Sequence, residues 1–282
     1  MSTVQPGILY IVATPIGNLE DITLRAKAIL AEVDAIAAED TRHSRPLLQH
    51  LGVNTSLFAL HDHNEEQKSA LVIERLQRGE SIALISDAGT PLISDPGYRL
   101  VRAAHQAGVT VCPIPGASAL ITALSVAGLA TDRFCFEGFL SAKAAARRQQ
   151  LQALADEPRT LVFYESSHRI TATLADMVGV FGDEREATLA RELTKRFETV
   201  KQATLAELEV FVKGDDNQQK GEFVVLLSGK RETRNDELDS ESCRIIELLG
   251  KELPVKQASK LASEITGIKK RIFYQYLLEQ NR

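Results

Sequence analysis

The chain has 282 residues, of which 44% are hydrophobic and 25% charged, and its formal net charge at pH 7 is -5. This length accommodates two domains and a small third, and the composition excludes long disorder, collagen-like repeats and a coiled coil as the main architecture. The acidic balance excludes a protein whose whole surface binds nucleic acid, while leaving room for a local basic patch.

Cys112, Cys135 and Cys243 are widely spaced and form no CxxC, so neither a disulfide framework nor a zinc ribbon is expected, and a reducing cytoplasm fits. The opening MSTVQPGILYIVATPIG lacks a basic residue before its apolar run and does not read as a secretory signal. The longest apolar stretch, Ala119 to Ala130, is too short to span a bilayer, and no membrane role is expected.

In chain order, ILYIVA before TPIGN, SIALIS before DAGTP, TVCPIP before GASA and TLVFYE before SSHR read as buried strands. Between them, Ile22, Ala26, Ile29 and Val33 mark a helix, as do a segment from Asn64 to Gly79, one from Tyr98 to Ala107 and one from Ser167 to near Gly182. The alternation predicts an α/β fold with mostly parallel sheet. A fresh series of signals begins after Phe134, so domains are expected over 1-118 and 119-229. Residues 230-242, eight of them charged, read as a linker. The remainder, 243-282, reads as a basic helical segment, with Pro254 suited to a first turn and Gly267 to a tight connection.

In parallel sheets, ligands bind beyond the carboxyl ends of the strands, where this chain carries Pro15 and Gly17, Gly89 and Pro91, and Gly116 and Ser118. Three such loops after consecutive strand signals point to a ligand cleft. No GxGxxG and no Walker lysine loop occurs, so a dinucleotide or triphosphate cradle has no support.

The segments TPIGNLEDIT, AAEDTRHS, LHDHNE, SDAGTPLISDPG, PGASA, FYESSHR and ARELTKRFE, in this order, resemble the tetrapyrrole methylase superfamily, and within it the branch directed at RNA. Many tetrapyrrole methylases carry GDP where this chain reads DAG at Asp87 to Gly89, which also favours the RNA branch. The resemblance implies two α/β domains with a cofactor cleft between them, a small C-terminal helical domain, a homodimer, and S-adenosylmethionine as cofactor. The implied activity is methylation of a cytidine 2′-hydroxyl in the decoding region of 16S ribosomal RNA, free or within the 30S subunit. Carried over residue by residue, the resemblance places Pro15, Ser86, Asp87, Ala88, Gly89, Ile93, Ser118, Ala119, Tyr164 and Leu193 at the cofactor.

Methyl transfer from a sulfonium is an in-line displacement in which positive charge disappears, so alignment and exclusion of water matter and no metal is demanded. A ribose hydroxyl is a poor nucleophile whose proton must leave, so a base, or a cation beside the forming alkoxide, helps. Lys195, Glu39 and Arg191 are the catalytic candidates, drawn from polar residues at strand ends that also include Asp40, Glu165, Glu192 and Glu222. Lys195 reads somewhat better as a surface lysine or a salt-bridge partner of Glu192. His61 and His63 flank Asp62, yet no third metal ligand lies nearby, and a hydrogen-bonded loop before Asn64 is the better reading.

Basic residues are concentrated at Lys143, Arg147 and Arg148 and at Lys269, Lys270 and Arg271, which together with Arg42 are the RNA-binding candidates. From Lys251 to Arg282 seven Lys or Arg stand against three acidic residues, a net of +4. Phe273 reads as core of that helical segment, and Tyr274 and Tyr276 as either core or base-stacking. Two other functions stay open: a tetrapyrrole carbon methylase, which has no use for the basic tail, and a non-catalytic nucleic-acid-binding regulator, which has no use for a deep cleft.

Overall fold

The computed structural model describes residues 3-61, 64-230, 238 and 240-280. Asp62, His63 and most of the expected linker therefore lie outside the described residues. The chain divides into two compact units, one ending at Lys230 and one following it.

The first unit opens with five strands: β1 (Ile8–Val12), β2 (Ala35–Ala38), β3 (Leu57–Ala59), β4 (Ile82–Ile85) and β5 (Thr110–Ile114). They form a parallel sheet in the order β3-β2-β4-β1-β5. The central strands are apolar throughout because helices α1 (Leu24–Glu32), α2 (Thr41–Leu51), α3 (Glu65–Gln77) and α4 (Tyr98–Gln106) supply packing on both faces. Pro113 is tolerated because β5 is an edge strand. The order makes β1 and β4 neighbours whose next strands, β2 and β5, lie on opposite sides of the pair, which opens a crevice beyond their carboxyl ends.

The second sheet contains β6 (Phe134–Phe139), β7 (Thr160–Ser166), β8 (Glu186–Arg191), β9 (Thr199–Thr204) and β10 (Glu222–Leu227), in the order β6-β7-β10-β8-β9. Only β6 and β7 run parallel, and the other three pairings are antiparallel. The expectation of mostly parallel sheet is thus corrected for this half. Antiparallel neighbours need only short loops, and β8 passes to β9 through the seven-residue stretch 192-198 without a helix.

One face of this sheet is covered by α6 (Ala144–Ala153), α7 (Ile170–Phe181) and α8 (Leu205–Gly214), around a core that includes Leu151, Phe163, Leu174, Met177, Leu208 and Val225. The other face packs against α5 (Ala119–Val126) through Val162, Ala190, Val224 and Leu226, and that cluster also takes in Ile16 from the first half. This shared apolar layer fixes the two sheets as one body.

The second unit holds α9 (Ser240–Glu252), α10 (Val255–Thr266) and α11 (Lys270–Gln280) around Ile246, Ala258, Ala262, Ile268, Phe273 and Leu277. Helix α9 starts inside the expected linker, its first turn closed by a Glu241–Arg244 ion pair at 2.7 Å. Pro254 is the N-cap of α10, and Gly267 ends it with φ of 75° in the left-handed region where glycine is favoured. Phe273 is fully buried, Tyr276 donates to Glu247 Oε1 at 2.6 Å, and Tyr274 is exposed. Among the described residues no helix is long and apolar enough to cross a membrane.

Candidate active site

Where the β1 and β4 loops meet the second sheet, the first unit contains a cavity of about 430 Å³. Its floor is built by close backbone approach. Thr14 N donates to Gly89 O at 2.8 Å and Gly89 N to Thr14 O at 3.1 Å, so the two loops bridge each other. Thr90 Oγ1 donates to Ala117 O at 2.9 Å and brings in the loop after β5. Gly89 has φ of 82°, and a Cβ there would lie 3.2 Å from Ile16 Cγ2. At Gly116 a Cβ would lie 2.9 Å from that of Ala13, a distance real Cβ atoms do not adopt. Small residues are therefore a steric requirement of this floor.

Across the cavity, Tyr164 on β7 accepts a hydrogen bond from Leu120 N at 3.0 Å, serving a first-turn amide of α5 that the Ser118 side chain leaves uncapped. Burial pushes the Tyr164 phenol above its ordinary value, so it stays protonated at neutral pH. Asp40 N donates to Asp87 Oδ1 at 3.1 Å, and Asp87 N points to Glu39 Oε2 at 3.5 Å, so the end of β2 clasps the β4 loop.

Four non-glycine residues have positive φ among the described residues: Leu92, Ser94, Glu192 and Thr194. All lie in the two loops that border the cavity, and strain of this kind concentrates at functional sites.

Asp87, Ala88, Gly89 and Ile93 line the cavity from the β4 loop, Ser118 and Ala119 from the start of α5, and Tyr164 and Leu193 from the second half. Glu39 also lines it. Pro15 and Ser86 sit behind this wall, both buried, with Ser86 Oγ turned to Gly89 O at 3.4 Å. Lining residues outside the sequence-derived set include Ile16, Ser94, Asp95 and Phe139, together with Ser166 and Ser167 of FYESSHR.

Lys195 stands beside the rim, its Nζ 2.8 Å from Glu222 Oε2 and 3.0 Å from Glu192 Oε1. Burial pulls its pKa down, but hydrogen bonds to Glu222 and Glu192 outweigh that effect and leave the ammonium more basic than an ordinary lysine. It is a cation at neutral pH, which discounts the proton-acceptor role. Arg191 is buried and donates to three backbone carbonyls, those of Lys220, Asn217 and Phe197, at 2.7, 2.8 and 3.1 Å. It braces the loop before β10 against the loop between β8 and β9 and is not among the residues that line the cavity.

Of the basic candidates, Arg42 is 89% exposed and hydrogen bonded to Asp40, whose carboxyl it holds far below the usual range. Lys143 and Arg148 are exposed. Arg147 is buried against Asp176 at 2.6 Å and presents no surface to a phosphate. Lys269, Lys270 and Arg271 are exposed at the start of α11. Among the described residues no group of His, Cys, Asp and Glu is arranged to hold a metal ion. His61 N donates to Asn64 Oδ1 at 3.0 Å, so at least this half of LHDHNE is a hydrogen-bonded turn before α3.

Two α/β halves around a small-molecule cavity with a glycine-cradled floor have the architecture of an enzyme that binds a cofactor or other small molecule. The chain belongs to the tetrapyrrole (corrin/porphyrin) methylases, whose family pattern it matches over residues 8–209; residues 236–281 match the RsmI C-terminal HTH domain. It is 57% identical to a protein of Pasteurella multocida and 56% identical to one of Escherichia coli O157:H7, covering 97% and 96% of those proteins and 97% of this chain in each case. Both are called Ribosomal RNA small subunit methyltransferase I. In fold it resembles cobalt precorrin-4 methyltransferase, with a TM-score of 0.57, 15% identity and coverage of 79% of this chain and 95% of that one. It also resembles uroporphyrin-III C-methyltransferase from Thermus thermophilus complexed with S-adenosyl homocysteine, with a TM-score of 0.55, 21% identity and coverage of 79% and 97%.

Proposed function

We propose that this protein transfers a methyl group from S-adenosylmethionine to a cytidine 2′-hydroxyl in the decoding region of 16S ribosomal RNA, acting as a cytoplasmic homodimer on the RNA or the 30S subunit. The observation that carries this reading is similarity above 50% identity over nearly the whole chain, basic helical end included, to methyltransferases of small-subunit ribosomal RNA.

The cavity fits the cofactor. Its volume lies within the ordinary range for small-molecule sites, its walls at Ile16, Ile93, Leu193 and Val224 are apolar, and its floor is backbone with no Cβ at Gly89. Asp87, Ala88, Gly89, Ile93, Ser118, Ala119, Tyr164 and Leu193 would hold it, with Pro15 and Ser86 supporting the loops from behind. When bound, the cofactor supplies an electrophilic methyl group on a positively charged sulfur.

The chain's own residues do the rest. The apolar walls exclude water, and the braced loops hold the acceptor in line. Lys195, kept charged by Glu192 and Glu222 at the rim, stabilises negative charge developing on the ribose oxygen. Glu39, among the carboxylates that line the cavity, is the one assigned to receive the proton; Glu222 is held by Lys195 at 2.8 Å, and Glu165 by Arg169 and Thr173, each at 2.7 Å. Arg42, Lys143, Arg148 and the Lys269 to Arg271 cluster supply phosphate contacts.

The test is transfer of a labelled methyl group from the cofactor to purified 30S subunits, naked 16S RNA and a tetrapyrrole in parallel. Label in RNA and none in the tetrapyrrole is expected. Label only in the tetrapyrrole, or none anywhere despite cofactor binding, rejects the proposal.

A further inference from the structure

Strand β6 carries one residue more than its partner requires. Phe136 lies opposite Val162, but the next pairs are Gly138 with Phe163 and Phe139 with Tyr164, so Glu137 is an insertion in the ladder. Side chains alternate along a strand, and Cys135 shares a face with Leu161 and Phe163, in the core under α6, α7 and α8. Without the insertion, residue 139 would fall on that buried face. With it, Phe139 joins Phe136, Val162 and Tyr164 on the face that borders the cavity. Gly138 makes the bulge possible: its φ is 64°, and a Cβ there would lie 3.2 Å from Ser94 Oγ on the opposite loop.

The bulge thus moves an aromatic ring out of the core to a wall of the cavity, where it remains 52% exposed. The ring is held there. Its centroid is 5.6 Å from that of Tyr164, in an edge-on arrangement at 64°, and the Arg169 guanidinium lies 5.9 Å from it. Arg169 is itself fixed by Glu165 at 2.7 Å and by Leu140 O at 2.8 Å. Water gains nothing from an exposed phenyl ring, and a bulge that re-aims a side chain beside a cavity is a device for ligand contact.

We propose that Phe139 is the stacking platform for the base of the acceptor nucleotide, setting the position of its ribose at the mouth of the cavity. A splayed-out base stacks on an aromatic ring, and Phe139, with the Arg169 guanidinium over it and half its surface exposed, offers one. Half exposure favours a substrate base over the cofactor, for which Ile16, Tyr164 and Leu193 provide the better-buried walls. The inference rests on the RNA methyltransferase reading above.

The experiment compares wild type, Phe139→Leu and Phe139→Trp for cofactor affinity by calorimetry, kcat and KM with 30S subunits, and mass by light scattering. Phe139→Leu is expected to lower kcat/KM for RNA by about 5- to 140-fold, the range for loss of one stacked base, with unchanged cofactor affinity and mass. Phe139→Trp is expected to restore most of the loss. An unchanged kcat/KM in the Leu variant overturns the inference. So does a parallel fall in cofactor affinity, which would put adenine on the ring, and so does a fall in mass, which would make the ring an interface contact. Wild-type protein that methylates no RNA overturns the underlying reading, and it is seen before any variant is measured.

Discussion

Replacing Gly89 with valine tests the cavity floor. Gly89 has φ of 82°, where an L-residue is strained by about 1–2 kcal/mol and a β-branched one is a rare outlier. The new Cβ would lie 3.2 Å from Ile16 Cγ2, and Ile16 is 8% exposed in a packed cluster with Leu120 and Leu193. Displacing it adds roughly 1 kcal/mol of overpacking, so a total loss near 2–3 kcal/mol is expected in denaturant unfolding followed by circular dichroism. The protein stays folded, but two methyl groups now occupy the floor, and cofactor affinity measured by calorimetry should fall by more than about tenfold. Gly79→Val is the control: φ is 93° and a Cβ there meets nothing within 4 Å, so it carries the backbone strain without touching the cavity. Gly89→Val with wild-type cofactor affinity, or Gly79→Val with an equal loss of it, would refute the assignment.

Arg147→Ala should destabilise the protein by about 1–3 kcal/mol, because Asp176 loses its 2.6 Å buried partner and keeps only the exposed Arg148 at 3.3 Å, while RNA affinity in filter binding stays at the wild-type value. Changing Lys269, Lys270 and Arg271 together to alanine should weaken RNA binding and flatten its salt dependence with unaltered cofactor affinity, since exposed phosphate contacts release counterions; an unchanged salt slope refutes it. Lys195 has its folded pKa raised, so the stability of its ion pairs is fully present below the unfolded value near 10.5 and is lost only as pH rises through the higher folded one. Rate profiles should therefore show no ionisation between about pH 6 and 9 that Lys195→Met removes, and the appearance of one contradicts the cationic role.

In the first half β1, β4 and β5 are legible as short apolar runs ending at glycine or proline, whereas β2 and β3 are not. Helix α2 is not legible either, since Pro46 inside it reads as a breaker although the Asp40 cap and Gly52 terminus close it at both ends. Strand β9 is not legible because its pattern TVKQAT is that of an exposed edge, without an apolar run. The antiparallel register of the second sheet is set by non-local pairing, which periodicity does not carry. The glycine-bearing loops point to the cleft, but nothing in the periodicity singles out Phe139. Glycine inside FCFEGF was the available sign, since it marks a bulge in a strand. Arg147 shows the opposite error: charge clustering does not reveal burial, and its Asp176 partner lies 29 residues away.

The most direct test of the central claim is nucleoside analysis of 30S subunits from a methylation-deficient source after incubation with this protein and labelled cofactor. One labelled product, 2′-O-methylcytidine, is expected, with the phosphodiester on its 3′ side resistant to alkali because the attacking hydroxyl is blocked. Label on a base carbon or base nitrogen, or RNA that remains cleavable at that position, would contradict it.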